Sequence, residues 1–126
     1  MEYSKKVMET FASPKHVGTI ENASGVGKVG NPTCGDIMEI SLLIDDNEVI
    51  KDAKFKTFGC AAAIASSSMA TDMIIGMTVD QALKLKNKDV VEKLEGLPPQ
   101  KIHCSVLAEE AIKLAVEDYR AKKTKK

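Results

Sequence analysis

Met38, Ile40, Leu42 and Ile44 alternate with Glu39 and Ser41, the period of a strand with one buried face. A second run, Val49 to Phe58, places Ala53 and Phe55 on one face and Lys54 and Lys56 on the other. Asp45-Asp46-Asn47 between the runs is turn chemistry, so the pair predicts an antiparallel hairpin. Upstream, Tyr3, Val7 and Phe11 recur at one-face helical spacing until Ser13-Pro14 breaks the pattern. From Lys15 to Thr33 the chain holds Gly18, Gly25, Gly27, Gly30 and Pro32, a loop composition with a short extended segment near Val26–Val29.

Downstream of Gly59-Cys60 the period becomes helical. Ala61 to Ile75 carries Ile64, Ser68 or Met69, and Met73 on one stripe, with Gly76 at the expected end. Ser66, Ser67 and Ser68 are expected to face partly outward or to bond back to their helix. Thr78 and Gln81 form a capping-box pattern for a short helix through Leu85, and Val90, Val91 and Leu94 mark another piece that stops at Gly96. Leu97-Pro98-Pro99-Gln100-Lys101 is not helical through its middle. Ala108, Ala111, Ile112, Ala115 and Tyr119 then form the buried stripe of a helix from His103 to Lys122. The pattern predicts an α+β fold, a small antiparallel sheet covered by helices, as one domain over residues 1–126.

Charge narrows the function. Eighteen Lys and Arg cancel eighteen Asp and Glu, so there is no positive field of the kind a generic nucleic-acid binder needs. The basic run Lys122, Lys123, Lys125 and Lys126 reads as a solvated tail. Glu2, Lys5, Lys6 and Glu9 interrupt any signal-peptide core, and no stretch reaches the ~18 apolar residues of a membrane span. Three cysteines, an odd number without an export signal, predict reduced thiols in the cytoplasm.

Cys34, Cys60 and Cys104 are separated by 26 and 44 positions, so no Cys-x-x-Cys pair announces a metal site. Their places in the pattern are more telling. Cys34 precedes the first alternating strand in Thr33-Cys34-Gly35-Asp36. Cys60 sits at a strand-to-helix junction, and Cys104 at the start of the last helix. A helix start favours the thiolate, the form that attacks sulfur and binds metal. Packing as three small core hydrophobes is the competing reading; three cysteines all at element ends favour ligands. With Asp36 or His103 they make a four-ligand set suited to zinc or an iron–sulfur centre. His16, in a loop, receives no role, and the six methionines read as core filler.

Several separated blocks resemble the IscU or NifU-type iron–sulfur cluster assembly scaffolds, from about Tyr3 to Lys122. They are Cys34-Gly35-Asp36, the run Ala53 to Cys60 (AKFKTFGC), Ala63 to Ser68 (AIASSS) and Leu97 to Glu109 (LPPQKIHCSVLAE). The resemblance implies a three-stranded antiparallel sheet with helices on one face, the extra strand coming from the glycine-rich segment before Cys34. It implies a transient two-iron two-sulfur cluster on Cys34, Cys60 and Cys104, with Asp36 and His103 competing for the fourth place and Lys101 lining the site. Asp36 would keep the cluster labile, sulfur would pass to a scaffold cysteine, and zinc would occupy the cluster-free form. The place of Cys104 at a helix start beside the proline-bearing segment makes it the candidate persulfide acceptor. A cysteine desulfurase of the IscS or NifS type would supply sulfur and apo iron–sulfur proteins would receive the cluster. The resemblance is compatible with a monomer or a homodimer, and implies neither nucleic acid nor membrane.

Two departures bear on partners. The Leu97-Pro98-Pro99-Gln100-Lys101 segment corresponds to one that an Hsp70-type chaperone recognises in bacterial relatives with Val at the variable position. Gln100 fits an apolar groove less well, and Gly96 lengthens the linker before it. Ala61-Ala62 replaces the Gly-Ser that often follows the second cysteine. The alternative function is that of the SufU-type relatives, zinc-dependent sulfurtransferases, which carry an insert between the second and third cysteines. The compact gap of 44 favours the scaffold.

Overall fold

The computed structural model describes residues 4–31, 36–58, 61–97 and 102–124. The two alternating runs form β2 (Asp36–Ile44) and β3 (Ile50–Phe58), paired antiparallel with Ile40 opposite Phe55 and Leu42 opposite Ala53. Residues directly opposite share a face, and these four are buried together. The connection is longer than the expected three-residue turn. It spans residues 45–49, because Val49 pairs with Thr78 instead of opening the strand. The Asp45 carboxylate organises it, accepting the Asn47 and Val49 N–H groups at 2.9 Å each, while Glu48 takes a left-handed φ of 61°.

The glycine-rich segment is a strand, β1 (Gly25–Asn31), and completes a sheet of order β1-β2-β3. The reason lies in the last helix, α5 (Ile102–Thr124), which lies across β1 and β2. A Cβ on Gly25 would stand 2.1 Å from the Ala115 carbonyl oxygen, and one on Gly27 2.1 Å from that of Ala111. Glycine is required there because helix backbone rests directly on strand backbone. The Val26 N–H, on this edge strand, donates to Asp118 of α5 at 2.9 Å.

A second helix, α2 (Ala61–Ile74), covers β3 on the same face, and α1 (Lys5–Ala12) packs on α2. Ala62, Ala65, Ser66, Ala70 and Ile74 are among its buried positions, so α2 is enclosed nearly all round and has almost no outward side. Ser66, Ser67 and Ser68 are therefore buried and not outward-facing. Ser67 donates to the Ala63 carbonyl, while Ser68 accepts the Lys15 N–H at 2.8 Å. On α1, Val7 is buried as its stripe predicted. Phe11 stays 40% exposed, and Tyr3 lies outside the described residues.

The expected capping box is present at α3 (Val79–Leu83), where Thr78 and Gln81 exchange bonds of 3.0 and 3.2 Å. Both α3 and α4 (Asn87–Lys93) pack on α5. The Ser13–Gly18 stretch runs beside β3 and shields its edge. Here the Gly18 N–H donates to the Phe55 carbonyl and the Phe55 N–H to that of His16, each at 2.8 Å. His16 Nε2 meets Asp72 Oδ1 at 3.0 Å. The other sheet face, with Lys28, Ile37, Leu43, Lys56 and Phe58, is open to solvent.

Gly27→Ala is expected to cost about 2 kcal/mol or more, because the obstacle is helix backbone and not a movable side chain. Its melting temperature should fall by several degrees; an unchanged value would mean that α5 does not rest on β1. At the hairpin, the Val49 N–H, together with the Asn47 N–H and Lys51, holds the Asp45 carboxyl below its usual value. A depressed folded value stabilises the native state above the unfolded pKa and stops doing so as pH falls through the folded one. The melting-temperature gap between wild type and Asp45→Ala should hold steady down to about pH 5 and shrink below about pH 4. A gap independent of pH would show that the charge contributes nothing.

Candidate functional site

The sheet ladder fixes one end of the molecule. Asn31 pairs with Asp36 and Ile37 with Phe58, so the last residue of β1, the first of β2 and the last of β3 stand side by side. The connection carrying Cys34 and the Gly59-Cys60 junction both depart from this end. At the same end the starts of two helices meet. Ala62 and Ala63 of α2 cluster with Cys104 of α5, and Leu97 packs against this cluster.

Of the residues that the sequence selects, Cys104 is described in full. It lies in the first turn of α5, as predicted, and is 0% exposed. Cys34, Cys60 and Lys101 lie outside the described residues, as do Pro98, Pro99 and Gln100. For Asp36 and His103 the backbone is described, as the first residue of β2 and the second of α5, and the side chain is not. Among the described residues no three metal-ligating side chains come together, since four of the five candidate ligand side chains fall outside that set.

The start of α5 is anchored independently of any ligand. Ser105 Oγ donates to the Ile102 carbonyl at 2.6 Å and accepts from Asn87 Nδ2 at 3.3 Å. Asn87 at the start of α4 also donates its N–H to Glu109 Oε1 at 2.6 Å, and Lys113 pairs with the other Glu109 oxygen at 3.1 Å. These bonds tie the first two turns of α5 to α4. Sequence reading missed this network, because Asn87 belongs to no motif, Ser105 and Glu109 enter only as letters of a family block, and the three meet only through the packing of two helices. Leu97, which the sequence reading placed in a recognition segment, packs against the cluster of Ala62, Ala63 and Cys104.

A cleft of about 360 Å³ lies at the far end of the sheet, lined by residues including Ser24, Asp45, Asp46, Tyr119 and Lys122. Its main carboxylate, Asp45, is occupied by the hairpin turn, and among the described residues that line it Cys104 does not appear.

Residues 2–126 match the family of NifU-like N-terminal domains. The iron–sulfur cluster assembly scaffold protein IscU of Haemophilus influenzae is 49% identical over 125 residues, covering 97% of this chain and 98% of that one. The IscU of Escherichia coli K12 is 48% identical over 129 residues and the whole of both chains. IscU 1 of Archaeoglobus fulgidus is 55% identical over 123 residues, 98% of this chain and 80% of its own. Among solved structures, an iron–sulfur cluster assembly scaffold for the SUF system from Fervidobacterium islandicum superposes with a TM-score of 0.76. It is 27% identical, covering 90% of this chain and 96% of its own. A NifU-like N-terminal protein from Brucella abortus gives 0.75 at 20% identity over 94% of each chain, a likeness of fold alone. By sequence over nearly its whole length and by the architecture of its sheet and helices, the chain belongs to the NifU-like N-terminal domain family.

Proposed function

We propose that this protein is a scaffold on which an iron–sulfur cluster is assembled and from which it passes to apo-proteins. The observation that carries this reading is identity of 48% or more, over nearly the whole chain, to proteins named as such scaffolds. The whole of residues 1–126 would act as one scaffold domain.

The cargo would be a two-iron two-sulfur cluster on the thiolates of Cys34, Cys60 and Cys104, with Asp36 or His103 as fourth ligand. Thiolates are soft donors matched to such clusters, whereas a carboxylate oxygen is a hard one and holds iron less firmly. A site with one mismatched ligand suits a carrier that must release what it builds. In support, the described ends of β1, β2 and β3 stand together, and Cys104 lies where α5 meets α2 at that same end.

Sulfur would arrive from a cysteine desulfurase as a persulfide. The thiolate of Cys104 would attack its outer sulfur; the S–S bond breaks and the desulfurase thiolate leaves. Two electrons from an external electron-carrier protein would then reduce that sulfur to sulfide. Lys101 would line the site, and an Hsp70-type chaperone would bind Leu97–Lys101 only weakly, because Gln100 is polar. Such thiols need a reducing compartment, the cytoplasm; no helix among the described residues is long and apolar enough to cross a membrane. Zinc would take the ligand set when no cluster is present. The likeness to the SUF-system scaffold keeps a zinc-dependent sulfurtransferase as the second reading.

Anaerobic incubation with ferrous iron, cysteine and a cysteine desulfurase should load equal iron and acid-labile sulfide, with the visible absorption of a two-iron cluster. Cys60→Ser should abolish that absorption. Protein-bound persulfide with tightly held zinc and no iron would establish the sulfurtransferase instead. If Asp36 keeps the cluster labile, Asp36→Ala should still assemble one but pass it to an apo-ferredoxin roughly an order of magnitude more slowly. Unchanged transfer kinetics would remove Asp36 from that role.

A further inference from the structure

The sheet face turned away from the helices ends in an apolar lip. Met38 and Ile40 are buried under the helices, so Ile37 and Glu39 lie on the opposite face of β2. Phe58 of β3 stands directly across from Ile37 and shares that face. Ile37 follows Asp36 in the chain, and Phe58 comes two residues before Cys60. Phe58 is 78% exposed, the most of any large hydrophobic among the described residues, and Ile37 is open beside it. An aromatic ring left in water contributes little to its own fold, and at the rim of a site it marks a contact surface.

The next row of this face is charged. Lys28, Glu39 and Lys56 stand side by side across β1, β2 and β3. The middle carboxylate is half-buried, and the two flanking lysines are exposed. Lys51, Lys113 and Lys122 each meet a carboxylate within 3.5 Å, whereas no ion pair among the described residues holds Lys28 or Lys56. Positive charge therefore borders the lip in a chain whose net charge is zero.

The third feature is backbone. The β3 edge of the sheet is shielded by the Ser13–Gly18 stretch, while β1 is outermost on the other side. The Val26 N–H of β1 is turned away from β2 and taken by Asp118. By the two-residue period of a strand, Lys28 and Gly30 turn their N–H groups to the same edge, and both are exposed. An open strand edge is a template for an extended chain.

We infer that this lip and edge dock the recipient of the cluster, an acidic protein in its metal-free, incompletely folded form. Each feature reads one property of such a chain. Without its metal, a small metalloprotein stays loosely folded and shows apolar side chains and extended backbone. Phe58 and Ile37 take an apolar side chain, the β1 edge takes backbone, and Lys28 and Lys56 take carboxylates. A recipient that has folded around its cargo buries the groups that the patch holds, so the product leaves. Cys104 belongs to the helix layer on the other face, which leaves that side to the sulfur donor. The inference rests on the scaffold reading for the identity of the partner.

The test titrates the full-length, reduced, metal-free protein with an acidic two-iron ferredoxin in apo and holo forms, reading the dissociation constant by calorimetry. Apo-ferredoxin should bind at least about tenfold more tightly than the holo form. Phe58→Ser, at an exposed position, should leave the melting temperature nearly unchanged and weaken apo binding about tenfold or more. Lys28→Glu with Lys56→Glu should weaken it about as much at low salt, a difference that fades by about 0.5 M salt. Lys88→Glu, exposed on α4 in the helix layer, is the charge-matched control and should change nothing.

Absence of apo binding, equal binding of the two forms, or an unchanged affinity in Phe58→Ser would overturn the inference. So would an equal loss in Lys88→Glu. Dimers of the protein alone that Phe58→Ser dissolves would overturn it too, because a second copy would then be the occupant. The scaffold carries no iron in this measurement, so a failed docking leaves the cluster reading standing. A failed reconstitution leaves the docking result standing.

Discussion

The direct contact of α5 backbone with β1 backbone is the constraint from which the rest of the molecule is built. At Gly25 and Gly27 any side chain would occupy the carbonyls of Ala115 and Ala111. That approach fixes the height of the helix above the sheet, and Asp118, bonded to the Val26 N–H, fixes its lateral position. Once α5 is set, the buried stripe of Ala108, Ala111, Ile112, Ala115 and Val116 must meet the inner row of Met38, Ile40 and Leu42. Small residues on both sides of the α5–β1 contact go with a core poor in aromatics, of which Phe55 alone is enclosed among the described residues.

The same constraint aims the chemistry. Because α5 is straddled by α4 at its beginning and rests on β1 further along, its first turn has little freedom, and Cys104 is carried to the end of the sheet where β1, β2 and β3 terminate together. A helix that must be held this accurately uses unmotivated-looking residues to do so. Asn87 and Glu109 are ordinary surface types in sequence, yet they set the position of the residue on which the proposed sulfur chemistry turns.

Alternation exposed β2 and β3 because each has one wet and one dry face, and the apolar stripe exposed α5 for the same reason. Where an element lacks two unlike faces, sequence reading fails. Helix α2 is enclosed nearly all round, so of the two readings for Ser66–Ser68 the outward-facing one fails, while Ser67 bonds back to its own helix. In β1 the glycines looked like a loop, since their purpose is set by Ala111 and Ala115, more than eighty positions later in the chain. The cysteines stood out through their place at the ends of the expected elements, and their family blocks supplied the proposed ligand set. The packing of Leu97 did not stand out, because a leucine before two prolines has the composition of a linker and the cluster it packs against comes from two distant helices.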